Sequence, residues 1–204
     1  MSLDVTAARL DADAALGVFR VLLDALSHPG RTFSLGDEWV VASAAVGALA
    51  LADVDVVCSV VGPATSARGL GECIARATGA RPTGNIEDAD MVVATIGTTA
   101  AQLHGIRTGT AADPELGAKL FLGCDSIVAG PADLCDSTSV NVAGPGASHG
   151  RSFVVAGVDD GVLDLLVGLN AAFPAGVDTW LISSTGMVVG VPRSSTIVTT
   201  AGSR

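Results

Sequence analysis

Leu16, Phe19, Leu22, Leu23 and Leu26 fall at three- and four-residue intervals behind Asp11 and Asp13. That spacing predicts a helix from about residue 13 that buries the stripe. His28-Pro29-Gly30 ends it, because proline drives the residue before it out of helical geometry and glycine permits a reversal. Arg31-Thr32-Phe33-Ser34-Leu35 then alternates like a short strand. Residues 40–51 are Ala-rich and apolar on every side, as suits a helix held between layers. Residues 54–61 set Val56, Cys58 and Val60 against Val57, Ser59 and Val61, so both faces are apolar, as in a central strand. Residues 66–78 predict a further helix, capped by Thr65 or Ser66, weakened by Gly69 and Gly71, and stopped by Gly79.

Beyond a polar connection at 85–90, Met91-Val92-Val93-Ala94-Thr95-Ile96 predicts a strand and residues 97–109 a short polar helix or loop. Residues 109–117 read as a loop leading to a strand at 119–122. Val162, Leu165, Leu166 and Leu169 place a last helix over 160–172, broken by Phe173-Pro174-Ala175-Gly176. Residues 177–183 and 187–191 predict a hairpin about Ser184-Thr185-Gly186, after which Pro192-Arg193 interrupts the run before Ile197-Val198. Strands and helices alternate early and strands pair locally late. No repeat, low-complexity run or linker divides the chain. The pattern predicts a single α/β domain over residues 1–204, in three layers with a mixed central sheet.

The stretch Asn141-Val142-Ala143-Gly144-Pro145-Gly146-Ala147-Ser148-His149-Gly150-Arg151 stands out. Pro145 fixes its own φ, and its flanking glycines admit positive φ or close backbone approach, so a rigid turn between two strands is expected. Backbone amides beside Arg151 suit an anion, and a plain hairpin corner fits the local sequence too. Two other breaks also carry an arginine: Pro29-Gly30-Arg31, with Arg20 on the helix before it, and Pro192-Arg193. If the strand ends converge, these breaks form a polar rim for an oxyanion. Otherwise each arginine caps a helix or pairs with an aspartate.

Composition narrows the chemistry. Of 204 residues 49% are apolar and only 3% aromatic, so the core must be aliphatic and closely packed. The net charge of -10 argues against nucleic acid as a partner, since phosphate backbones reward a basic face. Lys119 is the sole lysine among 11 basic residues, which leaves arginine to read anions through its planar fork. Cys58, Cys73, Cys124 and Cys135 include no Cys-x-x-Cys pair, so they read as buried free thiols. The longest uncharged run is too short to span a bilayer and no secretory leader opens the chain, so a cytoplasmic protein is expected.

Familiar catalytic motifs fail on context. Gly146-Ala147-Ser148-His149-Gly150 fits the spacing of a nucleophile elbow, but a strand-like Phe153-Val154-Val155 follows where a helix is required. His149 stands where a dinucleotide fingerprint needs its third glycine, and Lys119 is followed by leucine rather than Ser or Thr, so neither that fingerprint nor a P-loop is present. His28, His104 and His149 are too far apart in sequence for a local metal pair, and no metal is expected.

Taken in order, the motifs resemble the PhnH family, a subunit of the bacterial carbon-phosphorus lyase system for phosphonate breakdown. The resemblance runs through Phe19-Arg20, Ala25-Leu26-Ser27-His28-Pro29-Gly30, Leu51-Ala52-Asp53 and Ala89-Asp90-Met91. It continues through Gly109-Thr110, Pro114-Glu115-Leu116-Gly117-Ala118-Lys119-Leu120 and Ala143-Gly144-Pro145-Gly146. Phe173-Pro174-Ala175-Gly176-Val177-Asp178 and Val191-Pro192-Arg193-Ser194-Ser195 complete it. The chain departs from the family at His28, where arginine is common, and at Ala147, where a bulky aliphatic residue is common. The resemblance implies a fold similar to the large domain of pyridoxal-phosphate-dependent transferases, without that cofactor. It also implies a dimer-forming component that joins other core subunits of a complex coupling a phosphonate to the ribose of a nucleoside triphosphate with loss of the base. Arg20, His28, Gly30, Arg31, Gly144, Pro145, Gly146, Arg151, Asp178 and Arg193 are the candidate ligand or interface residues. A non-catalytic adaptor that binds only partner proteins is the alternative.

Overall fold

The structure, a computed structural model, describes residues 10–36, 44–132 and 136–201. The start of the predicted 40–51 helix and Cys135 lie outside the described residues. Strands β1 (Thr32–Ser34), β2 (Val57–Val61), β3 (Arg81–Thr83), β4 (Met91–Ala94), β5 (Lys119–Cys124), β9 (Asp178–Ser183) and β10 (Met187–Val191) form one sheet. Its order is β1-β10-β9-β5-β4-β2-β3, and β10 alone runs against its neighbours. Strands β6 (Ser126–Ala129), β7 (Ser137–Gly144), β8 (Ala147–Ala156) and β11 (Thr196–Ala201) form a second, antiparallel sheet ordered β11-β7-β8-β6.

Each face of the large sheet buries its own aliphatic layer, and the alternation along β5 shows how. Phe121 points toward α1 (Ala12–Ser27), α2 (Ala45–Leu51) and α4 (Leu70–Thr78), where it packs among Val18, Leu22, Val46, Ile74 and Trp180. Leu120 and Leu122 point the other way, toward α5 (Ala100–Leu103), α6 (Asp160–Asn170) and the inner face of the second sheet, meeting Leu103, Leu166, Val140, Phe153 and Val155. Burying each such side chain contributes about 1.5–3 kcal/mol. Two of the scarce aromatics meet in the first of these layers. Phe121 stacks on Trp180 at 5.0 Å between ring centroids, and the indole N–H donates to the Leu22 carbonyl at 2.8 Å. Gly47 leaves room for that ring, since a Cβ there would stand 2.2 Å from Phe121.

Several expectations need correction. The first helix buries Val18, Leu22 and Ala25, while Leu16, Phe19 and Leu23 are exposed. A helix apolar nearly all round offers two stripes, and backbone proximity selects the one carrying Ala25, for a Cβ on Gly190 of β10 would lie 2.4 Å from the Ala25 carbonyl carbon. The helix expected over 66–78 is two, α3 (Ala64–Ala67) and α4, because Gly69 between them is left-handed at φ 78. Pro63 and Gly69 hold the cap positions, with no side-chain cap. The central sheet does not take in the strands around Gly144-Pro145-Gly146; those belong to the second sheet. Strands β3 and β6 lack apolar alternation of useful length, and β3 contains Pro82. The hairpin β9–β10 about residues 184–186 is as expected.

Candidate functional site

Two of the three arginine-bearing breaks meet directly. Helix α1 ends when Gly30 turns left-handed at φ 73, and its N–H donates to the Gly190 carbonyl at 3.2 Å. That ties the buried Pro29-Gly30 pair to β10, and β8 closes on it from the other sheet. A Cβ on Gly30 would stand 3.0 Å from the Arg151 Cβ, and the Arg151 guanidinium donates back to the Pro29 carbonyl at 3.1 Å. The Pro145-Gly146 turn folds over the same helix end: a Cβ on Gly146 would lie 2.5 Å from the Ser27 carbonyl oxygen and 2.9 Å from the Pro29 Cδ. Positive φ at Gly146, 83°, and this close approach both demand glycine.

The third break joins through Gly144, where a Cβ would stand 3.0 Å from the Ser194 carbonyl oxygen. Beside it Arg193 is locked in place. Its backbone N–H donates to Asp178 Oδ1 at 2.9 Å, and its Nε and Nη2 donate to Oδ2 at 3.1 and 2.7 Å. Its Nη1 donates to the Pro114 carbonyl. With side chains 14% and 23% exposed, this is a partly buried two-pronged clamp tying the 192–195 turn, the start of β9 and the 114–117 loop together. Asn170 fixes the same corner from the end of α6, accepting from the Val177 N–H at 2.8 Å and donating to its carbonyl at 3.3 Å. A parallel pair stands at the start of β4, where Arg107 reaches Asp90 at 2.7 Å.

The remaining candidates lie around this junction rather than in it. His28 donates from Nδ1 to the Asp24 carbonyl at 3.0 Å, so its ring closes the helix end. The Arg31 guanidinium lies 5.3 Å above the Phe33 ring and is exposed, as is Arg20. Arg20 sits seven residues before Ser27, about 10 Å up the helix. Pro145 is exposed at the tip of the turn. Arg151 is half-buried, Arg20 and Arg31 face solvent, and the Arg193 fork is occupied.

The sequence did not point to Asn170, Arg107 or the two buried hydroxyls Thr179 Oγ1 and Ser195 Oγ, which have no hydrogen-bond partner among the described residues. An asparagine just before Phe173-Pro174-Ala175-Gly176 was the one available signal for the first. Ser148 and His149 lie exposed within β8 and carry no elbow geometry. Burial pushes the Cys58 thiol up from an ordinary 9.0 to about 11. Burial, with Asp125 adding to it, pushes Cys124 up to about 12, so both remain protonated and unreactive near neutrality. Among the described residues no cluster of three His, Cys, Asp or Glu side chains is placed to hold a metal, and no helix is long and apolar enough to cross a membrane.

All of this machinery stands at one end of the large sheet. Asp90, Lys119 and Asp178 precede or open the parallel strands β4, β5 and β9, and Gly30-Arg31 precedes β1. The junction therefore lies at the amino ends of the strands. Its components are proline and glycine breaks locked to one another, with Arg20 and Arg31 exposed beside them.

Residues 8–198 match the sequence profile of the PhnH family, described as bacterial phosphonate metabolism protein. The chain is also similar to HtxG of Stutzerimonas stutzeri, named as a C-P lyase subunit protein, with 30% identity over 179 residues, 88% of this chain and 83% of the relative. The chain belongs to the PhnH family, and its role is in phosphonate metabolism.

Proposed function

We propose that this chain is a non-autonomous subunit of a carbon-phosphorus lyase core complex, assisting transfer of a phosphonate to the ribose of a nucleoside triphosphate with loss of the base. In this reading it acts in the cytoplasm as a homodimer bound to the other core subunits. Arg20, Arg31 and Arg151 contact the anionic ligand or a partner, with His28 beside them. Gly30, Gly144, Pro145, Gly146 and the Asp178–Arg193 clamp hold the corner in shape. The observation that carries the proposal is the junction itself: segments distant in sequence are brought together there by contacts only glycine allows, within a chain of a family described as bacterial phosphonate metabolism protein.

The fold we take to be that of the large domain of pyridoxal-phosphate-dependent transferases without the cofactor. A mixed seven-stranded sheet with one reversed strand supports this. Lys119, the sole lysine, opens β5 at its amino end, whereas ligands in open α/β sheets bind beyond the carboxyl ends, so a Schiff base there has no support.

A strain deleted for this chain should fail to grow on methylphosphonate as sole phosphorus source yet grow on phosphate, and plasmid-borne wild type should restore growth. Growth of the deleted strain on methylphosphonate would sink the proposal. The position of the junction at the amino ends of the strands favours one second reading, an adaptor that binds partner proteins and nothing small. Calorimetric titration of the isolated chain with nucleotide and with methylphosphonate separates the two, since a flat response to both is the adaptor's signature.

A further inference from the structure

A lone exposed apolar side chain is ordinary, whereas several carried on one rigid face mark an interaction surface. Such a face stands beside the Asp178–Arg193 clamp. Phe173 is 62% exposed and Leu116 53%, and Ala111, Ala112, Ala171 and Ala172 are exposed with them on the same two loops. Both loops are tied down. Arg107 Nε donates to the Leu116 carbonyl at 3.1 Å, and Arg193 Nη1 donates to that of Pro114. The Gly176 N–H donates to the Thr108 carbonyl at 2.8 Å. A Cβ on Gly117 would stand 2.7 Å from the Gly176 carbonyl oxygen, so the loops meet backbone to backbone. Four chain steps of about 3.8 Å and that contact separate Leu116 from Phe173, which keeps the two within roughly 20 Å. Both therefore fit on one face of the ~800 Å² that a standard interface buries per partner.

We propose that Phe173 and Leu116 insert into an apolar socket with a basic rim on a different subunit of the complex. The inference rests on the core-subunit reading above and names the surface by which the chain is held. Charge selects the partner. Asp113 and Glu115 flank Leu116; both are exposed, and neither is in an ion pair among the described residues. The nearby Arg107 and Arg193 are already paired with Asp90 and Asp178. The face thus has an apolar centre and an unneutralised acidic flank. A second copy of this chain, with its net charge of -10, would set the same two carboxylates against their own counterparts in a twofold contact. A partner with Lys or Arg around an apolar pocket is attracted instead. An aromatic anchor at the centre and charge at the rim is the arrangement in which the centre supplies most of the affinity. Loops already held in shape also lose little conformational freedom on binding.

For the test, the tagged full-length chain is co-expressed with the other carbon-phosphorus lyase core subunits. The subunits it retains are quantified across a salt series, with circular dichroism to confirm that each variant folds. Phe173→Ala should fold like wild type, since the side chain is exposed, and cut the retained partner about tenfold or more. Leu116→Ala should act in the same direction. Glu115→Lys should weaken capture several-fold at low salt and less at high salt, where the lost attraction is screened. Glu72→Lys makes the same change of net charge at an exposed site on α4 and should bind as wild type does. Undiminished capture by the Phe173→Ala, Leu116→Ala double variant overturns the proposal, as does a wild-type chain that retains no partner. Equal weakening by Glu72→Lys and Glu115→Lys would also overturn it, by making net charge the cause. So would a fall in the chain's own oligomeric mass with Phe173→Ala, which would assign the face to a second copy. The two readings fail separately. If the deleted strain cannot use methylphosphonate while the double variant keeps its partners, only this surface falls; if the deleted strain grows while capture depends on Phe173, only the phosphonate reading falls.

Discussion

Replacing Gly146 by alanine tests whether the Pro145-Gly146 turn is wedged against the end of α1 or only lies near it. Two costs combine. Alanine at φ 83 occupies a left-handed conformation that costs about 1 kcal/mol or more. Its Cβ would also stand 2.5 Å from the Ser27 carbonyl oxygen and 2.9 Å from the Pro29 Cδ. Both neighbours are backbone or ring atoms that cannot swing aside, so relieving the overlap must shift the helix end or the turn, at roughly 1–3 kcal/mol. The expected total is about 2–4 kcal/mol. Gly69→Ala provides the control, because Gly69 has a similar φ of 78 but nothing within 4 Å of its Cβ position. Urea unfolding of both variants isolates the contact as the difference between them, expected at about 1–3 kcal/mol. In a thermal scan Gly146→Ala should melt about 4–16 °C below wild type for a chain of this size. Equal destabilisation of the two variants would show that the turn is not wedged, and the account of the junction would fall.

Arg193→Ala should destabilise by about 2–4 kcal/mol in urea, because it removes the ion-pair partner that Asp178 has among the described residues, in a partly buried corner. Arg193→Lys should recover only part of this, lacking the two-pronged geometry; full recovery would mean that charge alone matters. Ser195→Ala and Thr179→Val each remove a buried hydroxyl with no partner among the described residues, so each should be neutral or stabilising by up to about 1 kcal/mol, and a loss above that would show that the hydroxyl is satisfied. Alkaline unfolding should report Cys58 and Cys124. Their folded values are raised from 9.0 to about 11 and about 12, so the unfolded chain loses protons first. Stability from each thiol is complete below pH 9 and falls as pH climbs through the folded values, by about 1.4 kcal/mol per pH unit per thiol. A Cys58→Ala, Cys124→Ala double variant should flatten that slope, and an unchanged slope would refute the assignment.

Much of the fold was legible because the apolar period and the Pro/Gly stops agree. The ends of α1 and α6, the hairpin β9–β10 and the strand character of residues flanking Gly144-Pro145-Gly146 all follow from local sequence. What could not be read was choice among equivalent apolar stripes and partners. α1 has leucines on two faces, and only the closeness of Ala25 to Gly190 decides which is buried. The second sheet was hidden because strands pair by tertiary context, and a strand such as β6, with Ser126-Ile127-Val128-Ala129, is too short to announce itself. Among the site residues, the turn and the arginines were visible as breaks. That Arg151 would reach the Pro29 carbonyl across 122 positions of sequence, and that Arg193 would spend its fork on Asp178, depended on the assembled fold.

The division of labour among the arginines bears on what the corner can do. A guanidinium already bonded on Nε and both Nη atoms, as in Arg193, can bind an anion only by giving up Asp178, which opposes the exchange with its own charge. Arg151 donates through one Nη to a neutral carbonyl, so it keeps donors for a phosphonate or a partner's carboxylate. Arg31, stacked on Phe33, is exposed with its charge unneutralised by any ion pair among the described residues. Binding should therefore depend on Arg31 and Arg151, whereas folding should depend on Arg193. Arg31→Ala should fold like wild type and support growth on methylphosphonate poorly. Arg193→Ala should lose stability first and growth only as a consequence, so lowering the growth temperature should rescue Arg193→Ala but not Arg31→Ala. Rescue of both by cooling would place Arg31 in the scaffold as well, and rescue of neither would return Arg193 to the binding surface.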